Sequence, residues 1–208
     1  MIHDDALKCN IEDKNFDLIF IDAAKAQYIN FFEKYKENHT EEEVEKLIAS
    51  DKIVIAFTAP GVRVTLGECF NLESGTNVEG KMITALRKLG FDYVLDTTFG
   101  ADMTIMEEAK ELIERKKNGG VLPMFTSCCP SWVKYVENIH PEFTENLSTT
   151  KSPNAMMGSL IKTYFAKEKG IDPQNIITVG IVPCVSKKYE STKKEEKEEE
   201  YISIKINT

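Results

Sequence analysis

Five cysteines offer the most specific chemistry in the chain: Cys9, Cys69, Cys128, Cys129 and Cys184. Three stand in distinctive surroundings. Cys128 and Cys129 are adjacent in Thr126-Ser-Cys-Cys-Pro-Ser-Trp132, and Cys184 lies in Val182-Pro-Cys-Val-Ser-Lys-Lys-Tyr-Glu190. Pro130 suits the first turn of a helix, which makes Cys129 its N-cap. A thiol there has its thiolate favoured by the helix dipole, as a metal ligand or proton donor requires. Spacing alone leaves a plainer alternative open, two small buried thiols in a strand-to-helix turn. A zinc site on the three cysteines is weaker, because structural zinc wants a tetrahedron of four ligands and adjacent cysteines rarely supply two of them. Cys9 and Cys69 stand alone and read as small buried residues. An odd number of cysteines does not describe a disulfide framework.

A second group could handle protons. Thr104-Ile-Met-Glu107 is a capping box that would open a helix over 104–117. On that helix Glu108, Glu111 and Arg115 share one face, with Ile105, Ala109, Leu112 and Ile113 as the neighbouring apolar stripe. Carboxylates in a row can pass protons, since each can donate or accept near working pH. The alternative is a solvated face with a Glu111–Arg115 ion pair worth a few tenths of a kcal/mol.

The elements that must position these groups are short. Apolar, β-branched runs predict strands over 17–21, 53–58, 93–97, 122–126 and 176–182, and helical patterns fall at 28–37, 41–49, 79–89, 131–139 and 153–169. Runs such as Ile176-Ile-Thr-Val-Gly-Ile-Val lack alternation, as strands buried on both faces do. Strand alternating with helix predicts an α/β fold with a parallel sheet flanked by helices. Ligands gather at the carboxyl ends of such strands, where Cys128-Cys129 and Cys184 are both expected. With 208 residues there is room for one domain and an appendage, and 42% apolar content excludes a disordered chain. A net charge of −8 argues against nucleic acid and anionic membrane as partners. No apolar run approaches the roughly 20 residues that span a bilayer. The first residues lack the basic and apolar regions of a signal peptide, so a cytoplasmic location is expected.

From Ala56 to Glu190 the chain resembles the catalytic domain of the iron-only (di-iron) hydrogenases. The two cysteine strings resemble the first and second signatures of that family. Thr58-Ala-Pro60, Gly100-Ala-Asp-Met-Thr-Ile-Met-Glu-Glu108, Lys151-Ser-Pro153 and Lys162-Thr-Tyr-Phe165 are similar to it in order and spacing. The resemblance implies a 4Fe-4S cubane joined through a cysteine sulfur to a di-iron unit carrying CO and cyanide. Cys129 and Cys184 would be two of the four cubane ligands, and Cys128 the proton carrier. Lys187 would hold a cyanide ligand, Ala59 and Pro60 would line the di-iron pocket, and Glu190 would belong to the same cofactor-binding signature. Glu108, Glu111, Ser148 and Arg115 would relay protons, the first three converging on Cys128 and Arg115 lying near solvent. Implied partners are protons and H2, ferredoxin or NAD(P)-linked electron-transfer subunits, and maturation proteins.

The family's third signature, which supplies the other two cubane ligands, is absent from these residues. The chain therefore reads as one incomplete lobe of the catalytic domain, over 38–190, inactive alone. Val182 and Gly61 replace the methionine and the serine or alanine usual in the family. Residues 1–37 resemble a short piece of the metal-assisted O-methyltransferases, with Asp22 and Lys25 at the metal and base positions. A strand with Asp22 capping the next helix is the alternative there. Residues 191–208 read as a solvated charged tail. A chimeric reading frame would explain both ends. A non-catalytic iron-sulfur regulatory or assembly protein is the alternative function.

Overall fold

The computed structural model of the protein describes residues 41–184, 186–190 and 201–205. The expectations placed on residues 1–37, among them Cys9, Asp22 and Lys25, lie outside these. Helix α1 (Glu41–Ile48) leads to strand β1 (Ile53–Thr58), a single turn α2 (Val62–Thr65), a 3-10 turn (Leu66–Phe70), helix α3 (Glu79–Leu89) and strand β2 (Tyr93–Asp96). A long helix α4 (Thr98–Asn118) and a shorter α5 (Pro130–Ile139) follow. Next comes a helix in three parts, α6 (Pro153–Leu160), a π turn (Ile161–Phe165) and α7 (Ala166–Lys169). It leads to β3 (Ile176–Val182), α8 (Ser186–Glu190) and β4 (Tyr201–Lys205).

The strands lie in the order β2-β1-β3-β4 and every pairing is parallel, with Ile55 beside Tyr93 and Thr178. β1 is buried from Val54 to Thr58 because both of its faces are covered. Val54 and Ala56 point to one layer, with Val44, Val62, Met82 and Leu86. Ile55 and Phe57 point to the other, with Ala155, Met157, Ile161 and Ala166. Full burial of a side chain such as Phe57 or Ile55 contributes about 1.5–3 kcal/mol. The second layer depends on a close approach of α4 to α6. A Cβ added at Gly100 would stand 2.5 Å from Pro153 O and 2.7 Å from Met157 Cγ, so no larger residue fits.

Four expectations need correction. Residues 122–126 are not a sheet strand; Phe125 forms only an isolated bridge with Leu147. Pro123 has no N–H to offer a ladder, and Phe125 instead bonds the 146–148 segment at both its N–H and its C=O, each at 2.7 Å. Cys128-Cys129 therefore does not follow a strand, whereas Cys184 does. Helix α4 begins at Thr98 rather than Thr104. The Asp96 carboxylate accepts from the backbone N–H (2.7 Å) and the hydroxyl of Thr98, holding the first turn. Thr104 is thus inside the helix, its hydroxyl bonded to Gly100 O at 3.0 Å and Lys151 O at 3.2 Å. Within the tail, Tyr201–Lys205 pairs with β3, where a solvated segment was expected. Cys69 lies exposed in the 3-10 turn rather than buried.

Candidate functional site

The two cysteine strings arrive on different elements. Cys129 has an extended backbone (φ −101°, ψ 111°) and caps α5 with Pro130 in its first turn, its C=O accepting from Val133 N–H at 3.1 Å. Cys184 leaves the end of β3 and accepts from Lys187 N–H at 3.2 Å as α8 begins. Cys129 is exposed, Cys128 and Cys184 are half-buried, and none of the three is in a disulfide. Exposure at Cys129 does not suit the plain reading of two buried thiols.

Two contacts bring the strings together. Lys187 Nζ donates to Cys128 O at 2.6 Å and to the Glu190 carboxylate at 2.9 and 3.1 Å. The hydroxyls of Ser131 and Ser186 are hydrogen-bonded to each other. Beside Cys184, Ala59 N–H donates to Ile181 O at 3.0 Å, and a Cβ on Gly61 would lie 3.7 Å from Pro183 Cγ. The Ala59-Pro60-Gly61 turn thus follows β1 at the same sheet end at which Cys184 follows β3, with Ala59 half-buried and Pro60 exposed. Glu190 is buried.

Electrostatics distinguish the acidic groups. Burial pushes the Cys128 thiol up; the Lys187 ammonium opposes this, and the Glu108 carboxylate and Cys129 add to it. Burial also raises Glu108, helped by the Glu111 charge and opposed by the Ser127 N–H that its carboxylate accepts. Burial would raise Glu111 as well, but bonds from Ser148, Arg115 and Thr149 and the Arg115 charge outweigh it and hold this carboxyl below the usual range. Ser148 Oγ donates to Glu111 at 2.7 Å, and Thr149 N–H at 3.0 Å. Glu108 thus lies within electrostatic reach of both Cys128 and Glu111, and Glu111 is hydrogen-bonded to Ser148.

Arg115 is half-buried. Its side chain is 13% exposed, donating to Glu111 (2.6 and 3.0 Å) and to the backbone oxygens of Val121, Glu145 and Leu147. The expected apolar stripe is the face turned outward: Ile105, Leu112 and Ile113 are exposed, together with Phe99 and Met106. Sequence reasoning missed Ser127, whose hydroxyl bonds Ser148 O at 2.7 Å, and the Ser131–Ser186 contact. It also missed Asn154, next to the Lys151-Ser-Pro153 string. Asn154 Nδ2 and Glu108 Oε1 are buried with no hydrogen-bond partner among the described residues. Such atoms are what a bound polar group would satisfy.

The donor set fits an iron–sulfur cluster in kind, because thiolates are its usual ligands. It fits in part: among the described residues no group of three or more potential metal ligands occurs, and the resemblance assigns two thiols, Cys129 and Cys184. No helix among the described residues is long and apolar enough to cross a membrane.

Residues 52–208 match the family model described as iron only hydrogenase large subunit, C-terminal domain. The chain is 51% identical over 156 residues to iron hydrogenase 1 of Clostridium pasteurianum, covering 75% of this chain and 27% of that protein. It is 37% identical over 147 residues to the cytosolic Fe-S cluster assembly factor narfl of Danio rerio, covering 68% and 36%. The fold is similar to that of an apo [FeFe]-hydrogenase HydA1 from Chlamydomonas reinhardtii, a C377H variant, with a TM-score of 0.70 and 35% identity over 78% of this chain and 44% of that one. The chain thus spans less than half the length of each of these relatives.

Proposed function

The chain belongs to the family of the iron-only hydrogenase large subunit, C-terminal domain, and from this premise we propose that it contributes one lobe of a site for reversible reduction of protons to H2. The observation that carries this reading is the meeting of the two cysteine strings through Lys187 and the serine pair, with the Glu108 charge acting on Cys128.

In this reading Cys129 and Cys184 would hold two corners of a 4Fe-4S cubane, and Ala59, Pro60, Lys187 and Glu190 would border the di-iron unit beside it. Such a cluster, when bound, supplies the electrons and the iron at which protons and H2 interconvert. The chain's own residues manage the protons. Burial keeps Cys128 in its thiol form at neutral pH, as a proton donor must be. Glu108, its carboxyl raised, can reprotonate that thiol, while Glu111 stays ionised and orients Ser148. Arg115, half-buried, fixes Glu111 and the 145–147 backbone. An ammonium has three donors; Cys128 O and the two Glu190 oxygens take all three, so a cyanide ligand would be held by Lys187 in exchange for the longer Glu190 contact. Ferredoxin or an NAD(P)-linked subunit in the cytoplasm would deliver electrons, and maturation proteins would build the cluster.

The similarity to an assembly factor motivates a second reading, a non-catalytic iron–sulfur role. The raised Glu108 carboxyl beside the Cys128 thiol favours the first, because a protein that only holds a cluster needs no proton donor there. Anaerobic loading with iron and sulfide tests both. Uptake should be lost in Cys129→Ala and Cys184→Ala and kept in Cys128→Ala; loss of iron in Cys128→Ala would reverse the roles assigned within the adjacent pair.

A further inference from the structure

Ser131 stands two residues after Cys129, and Ser186 stands two residues after Cys184. Each serine therefore occupies the same place relative to its cysteine, in the first turn of the helix that the cysteine string opens. Their hydroxyls meet, and Ser186 is 1% exposed, so its hydroxyl is committed to this contact rather than to solvent. We infer that the Ser131–Ser186 pair is a clasp that sets the separation of the Cys129 and Cys184 thiols.

The geometry explains why this contact matters beyond its strength. A single tie between two segments is a pivot, about which they can still rotate. Here there are two, and they straddle Cys129: Lys187 reaches the backbone of Cys128 on one side, and Ser186 reaches the side chain of Ser131 on the other. Two residues of extended chain span about 7 Å at most, so a serine fixed two positions away leaves its cysteine little freedom. A hydroxyl pair is directional where an apolar contact would slide. Ser131 stands two positions past the N-cap Cys129, and its hydroxyl turns across to α8. Both serines act through the cysteines and are positioning residues.

The clasp rests on the reading of Cys129 and Cys184 as ligands of one cluster, so the test separates the two ideas. Nitroxide labels are placed on Cys129 and Cys184 in the full chain carrying Cys9→Ala, Cys69→Ala and Cys128→Ala, and dipolar broadening reports their separation without any metal. Ser131→Ala and Ser186→Ala should each raise the population of separated conformers about fivefold, the equivalent of about 1 kcal/mol for one net hydrogen bond. The double variant should go no further than either single one, because both break the same bond. Ser131→Thr, which keeps a hydroxyl, should restore the close population. Circular dichroism checks that each variant is folded, and Ser131, half-buried, is the position least able to disturb folding. Unchanged broadening in a folded Ser131→Ala overturns the clasp, whatever iron does. Iron and sulfide loading of the unlabelled chain with a small thiol present is the second arm. Failure to load there, with the distances behaving as expected, sinks the ligand reading and leaves the clasp standing.

Discussion

Lys187 Nζ donates to the backbone oxygen of Cys128 at 2.6 Å, joining residues 59 positions apart in the chain. The same ammonium is in contact with the buried Glu190. One cation thus holds together the end of one cysteine string and the middle of the other, and it is also the positive charge that restrains the Cys128 thiol from rising further.

Lys187→Met should therefore do two things. The Cys128 thiol should titrate at higher pH than in the wild type, read as slower alkylation at a fixed alkaline pH. The fold should lose about 2–3 kcal/mol, as expected for losing hydrogen bonds to a charged group, measured by urea unfolding. Alkylation at the wild-type rate would detach Lys187 from the electrostatics of Cys128.

Glu111 and Glu108 should shape the pH dependence of stability with opposite signs. The folded-state pKa of Glu111 is lowered, so its contribution is present above its unfolded pKa and is lost as pH falls through the folded one. Glu108 is raised, so its ionised form weakens the fold at neutral pH and this penalty disappears as pH falls through its folded pKa. Glu111→Gln should lower stability at pH 7 and flatten the acid limb of the curve, whereas Glu108→Gln should raise stability at pH 7. Unfolding midpoints between pH 3 and pH 7 would reveal the same sign for both if this assignment is mistaken.

Gly100→Ala should cost about 1–3 kcal/mol, because the new methyl group meets the Pro153 backbone oxygen, which has no flexible end to move aside. Separation of α4 from α6 should also weaken the Thr104–Lys151 contact and lower the melting temperature. An unchanged melting temperature would mean that the helices can part without penalty.

The 208-residue chain, purified anaerobically with maturation proteins present, should neither evolve nor consume H2. In the proposed reading Cys129 and Cys184 would hold two cubane corners, and the chain spans 44% of the HydA1 chain it resembles. Hydrogen evolution from reduced methyl viologen is the measurement, and sustained turnover would require replacement ligands within this chain.

Legibility followed locality. β1 and β3 were visible because unbroken apolar runs announce strands covered on both faces, and α3 and α5 because their apolar spacing is helical. Residues 122–126 have the same β-branched and aromatic flavour, yet pairing is a property of neighbours, and Phe125 found only Leu147. The start of α4 was misjudged because Asp96, outside the helix, holds its first turn. The side of α4 that carries Glu108, Glu111 and Arg115 was correctly read as one face. The bonds that tie Arg115 down could not be read, since its partners include backbone oxygens 30 and 32 residues away. The two serines share one spacing from their cysteines, but only the fold shows that their hydroxyls meet.

The π turn between α6 and α7 concerns angle rather than length. On a regular α-helix, side chains five apart diverge by about 140°. Ile161 and Ala166 are five apart and both are buried to 1% in the same apolar layer. The wider turn brings them back into phase, and it also aims Lys162 at Pro173 O (3.0 Å) and Ile176 O (2.6 Å). Ile176 begins the strand whose far end delivers Cys184. Deleting one residue from the turn would restore regular pitch while swinging everything on one side of it around the helix axis. Either Ala166 would leave the layer or Lys162 would lose its grip on β3, so the angular phase of this helix and the placement of a distant thiol are set by the same five residues.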